Sequence, residues 1–260
     1  MTKASGKWRG DFLFLLENLV LKDFRIRYRN MSLGILWSLV NPLVMMGVLT
    51  FIFRRVFGGQ NSPVFPVFVL CGLVPYNFFA GAMLSGATSI VDSAGLIKRV
   101  PVPREVVPIA SVLSNCIHLM IQLALLIGFA MAFQLPPARP WLWLPVIWFL
   151  YILFICGLVL GASAINVFVR DTRYVVESFN LVLFWLVPIF YSFTIIPAKY
   201  IPVYRFNPVA ALVMAMRDIL IDRHPPAITI VANMTIAAAV SLALGLMIFE
   251  RLKTRFYEHI

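Results

Sequence analysis

The sequence predicts an all-α integral membrane protein that forms a single transmembrane domain over residues 1–260. Of its 260 residues, 61% are hydrophobic and 13% are charged, whereas soluble domains carry about 45–50% apolar and about 25% charged residues. The apolar residues gather in six runs, each long enough to cross the hydrocarbon core, which takes about 20 residues. The predicted spans are residues 31–55, 64–91, 106–133, 140–169, 178–198 and 225–249.

Backbone hydrogen bonding requires these runs to be helices, because an unpaired amide in lipid costs several kcal/mol. A transmembrane β-barrel is excluded, since its strands alternate in polarity and these runs are continuously apolar. The net charge of +11 does not indicate nucleic-acid binding, because Lys and Arg gather at the ends of the predicted spans, beside anionic lipid head groups.

The distribution of Lys and Arg predicts that both termini are cytoplasmic. Most of these residues lie in the N-terminal segment, the second and fourth loops and the C-terminal tail, and cytoplasmic loops carry the excess of positive charge. The smaller, outward group is Arg54, Arg55, Arg139, Lys199, Arg205, Arg217 and Arg223. An even number of spans agrees with this orientation in the plasma (inner) membrane.

Residues 1–30 precede the first span and are predicted to hold an amphipathic helix on the cytoplasmic face. Within residues 8–30, Phe12, Leu15, Leu16 and Leu19 recur at helical spacing, and a basic half follows. That pattern is typical of a helix lying in the membrane interface. The alternative is an ordinary positively charged flank of the first span.

Two further connections have more than linker composition. Residues 92–105 join the second and third spans, and Pro101 and Pro103 make part of this loop extended. A short basic helix with a stiff elbow suits docking to a cytoplasmic partner, and a plain connector is the alternative.

Residues 184–226 contain six prolines, and 208–221 is helical in period but too short to span. We therefore predict a re-entrant element here. Irregular backbone within the depth of the membrane must be covered by protein or line a water-filled cavity, so this segment is the candidate for a translocation gate.

No motif for chemistry is recognisable in the chain, so we do not expect an enzyme. It has no HExxH, no GxSxG, no Walker-type GxxxxGK[ST] and no cluster of metal ligands in sequence. Active transport would therefore take its energy from elsewhere. An ion gradient is one source, but His118 is the one ionisable residue deep in a run. An associated ATPase is the other source.

Aromatic residues and a pair of glycines suggest packing or transport roles. Gly157 and Gly161 form a GxxxG, which serves either packing within the chain or dimerisation.

Most aromatic residues are expected in the interfacial belt. The alternative is a path of rings that stack on sugars, and the candidates for such a channel are Tyr76, Phe78, Phe79, Trp185, Phe190 and Tyr191.

Several short motifs occur in a fixed order along the chain. The first is Arg27-Tyr28-Arg29-Asn30-Met31-Ser32-Leu33-Gly34-Ile35-Leu36-Trp37, followed by Asn41-Pro42-Leu43. Further motifs are Gly72-Leu73-Val74-Pro75-Tyr76-Asn77-Phe78-Phe79, Ile97-Lys98-Arg99-Val100-Pro101-Val102-Pro103-Arg104, Phe168-Val169-Arg170-Asp171, Pro188-Ile189-Phe190-Tyr191 and Asn207-Pro208. Together they resemble the type-2 ABC exporter permeases, and more narrowly those that export polysaccharides and teichoic acids.

The resemblance implies a permease subunit with six spans that forms a homodimeric channel with a second copy of itself. Two separate ATPase subunits would dock on the cytoplasmic face and bind ATP and Mg²⁺, so this chain would hold no cofactor. The interface helix would fall near residues 8–30 and the coupling helix near 92–104, with Lys98, Arg99 and Arg104 contacting the ATPase. Short gate helices would fall within 197–226.

The expected cargo is a lipid-linked polysaccharide, most specifically O-antigen on undecaprenyl diphosphate. Arg25, Arg27 and Arg29 would receive the diphosphate head group, because arginine pairs well with phosphate oxygens. The alternative role of these arginines is anchoring to anionic lipid. The same fold exporting capsule, teichoic acid, lipid or a drug is the alternative function, followed by an ion-coupled secondary transporter.

Overall fold

The computed structural model describes residues 12–28, 34–58, 62–99 and 102–259, and these residues form helices and connecting loops without a strand. Within these described ranges, five helical stretches are long and apolar enough to cross a membrane: Gly34–Val56, Phe65–Arg99, Val106–Ala132, Arg139–Phe168 and Ile228–Arg255. The prediction of an all-helical membrane protein with several spans is therefore confirmed.

The α-helices are α1 (Phe12–Tyr28), α2 (Trp37–Phe51), α3 (Phe65–Asp92), α4 (Ala94–Arg99), α5 (Val106–Ala132), α6 (Leu144–Phe168), α7 (Thr172–Leu186), α8 (Ile201–Phe206), α9 (Pro208–Leu220), α10 (Ile228–Leu252) and α11 (Phe256–His259). Single 3₁₀ turns cover Gly34–Leu36, Arg139–Trp143, Phe193–Ile195, Ala198–Tyr200 and Lys253–Arg255, and α2 continues as a π-helix over Ile52–Val56.

The fifth predicted span, 178–198, differs from the helix that the structure forms there. Helix α7 begins at Thr172 and ends at Leu186 after 15 residues, a length of about 22 Å at 1.5 Å per residue. Val187 is extended, with ψ of 134°, as expected for a residue before a proline. Pro188 thus stops the helix before it reaches the roughly 30 Å of a bilayer core, and a sixth crossing remains a prediction.

The glycine pair in α6 packs within the chain, against α10. A Cβ on Gly157 would lie 2.3 Å from the carbonyl carbon of Ser241, and one on Gly245 would lie 2.0 Å from the carbonyl oxygen of Gly157. The Ser241 hydroxyl donates a hydrogen bond to the Phe154 carbonyl at 2.8 Å. Of the two roles open for this GxxxG, intrachain packing is the one that the structure shows for Gly157.

The helix ends that lie near α4 and the C-terminal segment share a second, smaller core. It joins α1, α3, α4, α5, α6 and the C-terminal segment through Leu19, Ile90, Ile97, Val106, Leu160, Phe249 and Phe256. Helix α1 inserts Leu19 into this core, whereas Leu13 and Phe14 are exposed. Helix α1, at the position of the predicted interface helix, therefore packs on α5 through one face and leaves apolar residues exposed on another.

The close approach of α6 and α10 gives a stability prediction. Gly157→Ala should destabilise the fold by about 1–3 kcal/mol, because overpacking at a backbone contact forces the helices apart. The matched control is Gly161→Ala in the same motif, since its Cβ would lie 3.7 Å from the nearest atom, Ile248 Cδ1. Thermal melting of the detergent-purified protein measures the difference. Equal melting temperatures for the two variants would refute the packing argument.

Candidate functional site

The segment between α7 and α10 folds back into the protein through two short helices. Helix α9 starts where the Asn207 side chain accepts a hydrogen bond from the Val209 amide at 3.0 Å, with Pro208 at its first position. Ten of its 13 residues are buried, so it packs on all sides. The stretch predicted to be re-entrant, 208–221, is therefore a core element beside α3 and α6.

Arg217 lies in the last turn of α9 and is 7% exposed. Its guanidinium donates to the carbonyl oxygens of Pro188 at 2.6 Å and Ile189 at 2.8 Å. The charged group also sits 3.4 Å from the centroid of the Phe68 ring. A buried cation is therefore satisfied by backbone dipoles and an aromatic face, without a carboxylate partner among these contacts.

The hydroxyl of Tyr191 satisfies the end of α7 in the same region. It lies 3.2 Å from the Trp185 carbonyl oxygen and 3.1 Å from that of Leu186, groups that a helix end leaves without amide donors. On the other side, Gly72 of α3 makes room for the turn, since a Cβ there would lie 2.7 Å from Ile189 Cα. The break after α7 is thus held by the side chains of Arg217 and Tyr191.

Arg217 was counted among the basic residues of the outward loops, whereas the structure buries it in helix α9. The side of the membrane on which it lies remains a prediction. Arg217 stands inside an apolar stretch of helical period, and this position in the sequence could have indicated that it is buried. A basic residue in such a stretch is costly unless it has a local partner.

A cavity lined by both polar and apolar side chains lies between α2, α3 and α5. Its volume is about 340 Å³. Ser111, Asn115, His118 and Gln122 follow one another along one face of α5, at spacings of four, three and four residues. The full lining is Trp37, Ser38, Asn41, Asn77, Phe78, Ala80, Gly81, Asn115, His118, Leu119 and Gln122. Only His118 was considered as a functional residue from the sequence. The other members of this stripe were missed, although their helical spacing is visible in the sequence.

Hydrogen bonds fix the inner wall of this cavity. The Asn115 amide donates to Ser85 Oγ and to the Ser111 carbonyl, both at 2.8 Å. The Gln122 amide donates to the Ser38 carbonyl at 3.3 Å. The Gln122 Oε1 atom is buried and has no hydrogen-bond donor among the described residues. The His118 ring stacks on Phe24 of α1, with centroids 6.0 Å apart.

The predicted coupling residues occupy two different environments. Lys98 and Arg99 are exposed at the end of α4. Arg104 is half-buried, donates to the Lys253 carbonyl and lies 5.8 Å from the centroid of the Phe256 ring. The geometry leaves the first two available to a partner, whereas Arg104 ties the elbow to the C-terminal segment.

Among the predicted head-group residues, Arg25 is exposed on α1. Arg29 and the side chain of Arg27 lie outside the described residues. Within the part of the chain that the structure describes, no group of three His, Cys, Asp or Glu residues could hold a metal ion.

Comparison with known proteins shows the family. The ABC-2 type transporter family matches residues 15–221 of this chain. The chain belongs to the ABC-2 type transporter family. It is 30% identical to the O-antigen export system permease protein RfbA of Klebsiella pneumoniae, over 97% of each chain. It is 29% identical to RfbA of Myxococcus xanthus over 95% of each chain. It is also 23% identical to the polysialic acid transport protein KpsM of Escherichia coli, over 90% of this chain and 92% of KpsM.

The aromatic residues proposed for the channel of this ABC-2 protein are placed unequally. Phe78 and Phe79 are 4% and 1% exposed within the protomer core, where Phe78 packs on Trp148 and Tyr151 and also lines the cavity between α2, α3 and α5. Phe190 is also buried. The Tyr76 hydroxyl donates to the carbonyl of Asn180 in α7 at 2.9 Å.

Trp185 is the most open of these rings, at 67% exposure on α7. Tyr191 beside it and Tyr76 on α3 are both partly exposed. These three rings are the candidates that a molecule outside this chain could reach.

Loss of the Arg217 contacts should release the turn after α7. Arg217→Met leaves the carbonyls of Pro188 and Ile189 without donors, at a cost of about 1–3 kcal/mol for each buried group. Arg217→Lys should recover only part of the stability, because an ammonium lacks the planar fork of a guanidinium. The melting temperature should fall in the order wild type, Arg217→Lys, Arg217→Met.

A chemical probe tests the same turn directly. Cys71 is fully buried in α3 next to this segment, so maleimide should label it in Arg217→Met and not in the wild type, with Cys116 and Cys156 both replaced by alanine. Arg139→Met, which removes an exposed arginine, is the control and should leave Cys71 protected. Protected Cys71 in Arg217→Met would show that the turn does not depend on this residue.

Proposed function

We propose that this chain is the membrane subunit of an ATP-driven exporter of a lipid-linked polysaccharide, most specifically O-antigen on undecaprenyl diphosphate. The observation that carries this proposal is the end-to-end similarity to O-antigen export permeases, which covers 97% of each chain for the Klebsiella protein. Two copies would enclose the channel, and two ATPase subunits would bind ATP and Mg²⁺. The chain would reside in the inner membrane with both termini in the cytoplasm.

Helix α3 connects the two candidate working parts of the proposed exporter. Its cytoplasmic end leads directly into α4 with the exposed Lys98 and Arg99. Its outer half carries Gly72 against Ile189 and Phe68 against Arg217. Closure of the ATPases would press on α4, and α3 would transmit this movement to the segment after α7 as one rigid element.

The cargo's two chemical parts would meet different residues. Its diphosphate would approach Arg25, Arg27 and Arg29 at the cytoplasmic surface, since guanidinium groups bind phosphate oxygens in pairs. Its sugar chain would pass the outward rings, for which Trp185 is the most open candidate. Aromatic faces stack on pyranose rings without fixed hydrogen bonds, which suits a polymer that slides.

A second candidate cargo is a capsular polysaccharide. The similarity to KpsM, named as a polysialic acid transport protein, favours this reading but at a lower identity of 23%. An ion-coupled carrier is less well supported, because His118 packs on Phe24 and Arg217 is engaged by carbonyl oxygens.

Deletion of the gene in its native host tests the proposed cargo. O-antigen should disappear from the cell surface and accumulate on its lipid carrier at the cytoplasmic face, and the intact gene should restore export. Electrophoresis of lipopolysaccharide and fractionation of carrier-linked glycan measure both effects. A normal surface O-antigen together with a missing capsule would support the second cargo and contradict the first.

Charge reversal at α4 tests the proposed ATPase contact. Lys98→Glu with Arg99→Glu should reduce co-purification of the ATPase by about tenfold or more, because like charges replace complementary ones across the contact. The matched control is Arg54→Glu with Arg55→Glu, which reverses two charges on the predicted outer side. Undiminished co-purification in the α4 variant, or an equal loss in the control, would refute the role of α4.

A further inference from the structure

The first long apolar stretch ends in two consecutive arginines. Arg54 and Arg55 follow α2 within the π-helix Ile52–Val56. The helical chain from Gly34 to Phe53 is about 30 Å long at about 1.5 Å per residue, which equals the thickness of the hydrocarbon core. The two guanidinium groups therefore lie at the level of the lipid head groups. The charge distribution predicts that this is the outer surface, where basic residues are less frequent.

A cavity beside the π-helix brings the two arginines together. Its volume is about 510 Å³, and its lining consists of Met46, Gly47, Thr50, Phe51, Arg54, Arg55 and Pro66. Adjacent side chains of a helix do not lie on one face, so two arginines that only reached for water would point apart. Here both contribute to the wall of one space, as expected of a binding site.

The π-helix is fixed by Phe53, the residue before the two arginines. Phe53 stacks on Phe190 with ring centroids 5.1 Å apart, and its centroid lies 6.4 Å from that of Phe65. Single π-helical turns are rare and are frequent at functional sites. Because Phe53 packs against the core, the backbone that carries Arg54 and Arg55 has a fixed position beside the cavity.

No carboxylate among the described residues balances the two positive charges. The described lining of the cavity contains no Asp or Glu, and the ion pairs of the described chain use Lys22, Arg173 and Lys253 instead. Two neighbouring guanidinium groups repel each other unless an anion lies between them. Their planar donors match the oxygens of a phosphate, which they bind in pairs. The charge of the cavity therefore selects a phosphate group.

Exposed apolar side chains next to the arginines favour a lipid over a soluble phosphate. Phe51, Val56 and Phe57 are 62%, 64% and 70% exposed, and the stretch that contains α2 is the least buried of the long apolar stretches. A lipid brings a phosphate to the guanidinium groups and acyl chains to these side chains. A soluble phosphate would satisfy the charge and leave the apolar surface uncovered.

We propose that Arg54 and Arg55 bind the phosphate head group of a membrane lipid in the cavity beside the π-helix. Helix α3 begins at Phe65, which contacts Phe53, and ends next to α4. The site therefore lies at the opposite end of the spans from α4 and does not involve the predicted head-group residues of α1. A lipid bound there would brace the π-helix, and through Phe53 it would support Phe190 in the segment after α7.

Photolabelling of the purified full chain tests this site. The protein is kept in an uncharged maltoside detergent, which contains no phosphate, and receives phosphatidic acid or diacylglycerol with identical acyl chains that carry a diazirine. The two probes differ only in the phosphate. Mass spectrometry should place phosphatidic acid on residues 46–57, and labelling there by diacylglycerol should be roughly fivefold lower, as expected for loss of about one partly hydrated charge-assisted hydrogen bond. Equal labelling by the two probes would overturn the site.

Single substitutions separate a built site from general attraction to a basic surface. Arg54→Gln and Arg55→Gln should each reduce labelling by phosphatidic acid by roughly fivefold. The matched control is Arg139→Gln, which removes an exposed arginine on the same predicted side and outside the cavity. Thermal melting shows that each variant is folded, and either arginine variant decides the result if the other does not fold. An equal loss in Arg139→Gln would contradict the proposal.

Inorganic phosphate distinguishes a lipid site from a site for a soluble anion. Millimolar phosphate that replaces chloride at constant ionic strength should leave labelling by phosphatidic acid nearly unchanged. Complete displacement would show that the cavity binds the free anion and would overturn the lipid assignment. None of these measurements involves ATP, an ATPase or a glycan. Failure of the lipid site would therefore leave the proposed export function intact, and failure of that function would leave the lipid site intact.

Discussion

The contact of Arg217 with the carbonyl oxygens after α7 is the interaction on which the segment between α7 and α10 depends. A helix that stops inside a membrane exposes carbonyls that lipid cannot satisfy. Here Pro188 ends α7 early, and the guanidinium of Arg217 donates to Pro188 and Ile189 at 2.6 and 2.8 Å. Tyr191 supplies its hydroxyl to the last carbonyls of α7 itself. The carbonyls of Trp185, Leu186, Pro188 and Ile189 are therefore paired where the chain leaves the helix.

This arrangement places an irregular segment against the largely buried helix α3. Gly72 of α3 leaves room for the backbone of Ile189 to approach closely. At its other end, the same helix leads into α4 at the predicted cytoplasmic face. A break stabilised by a few directional contacts can change conformation more readily than a continuous helix, which fits a gate that a distant ATPase would operate.

The membrane class, the long spans and the family could be predicted from the sequence, because hydropathy and short motifs are read directly along the chain. It could not place Arg217, because a short apolar stretch between prolines looks the same in a surface loop and in a core. Packing decided that question. The role of Gly157 was likewise open until α10 was seen to lie against it. The stripe that ends in Gln122 was readable from its spacing, but the cavity it lines needs α2 and α3 to form.

The central claim is that this permease moves a glycan with energy from a separate ATPase. The most direct measurement reconstitutes the chain with its partner ATPase in liposomes that carry a fluorescent lipid-linked glycan, and follows the accessibility of the glycan to an added glycosidase. We expect the accessibility of the glycan to change only when both proteins and hydrolysable ATP are present. Translocation by this chain alone, driven by a membrane potential or an ion gradient, would contradict it.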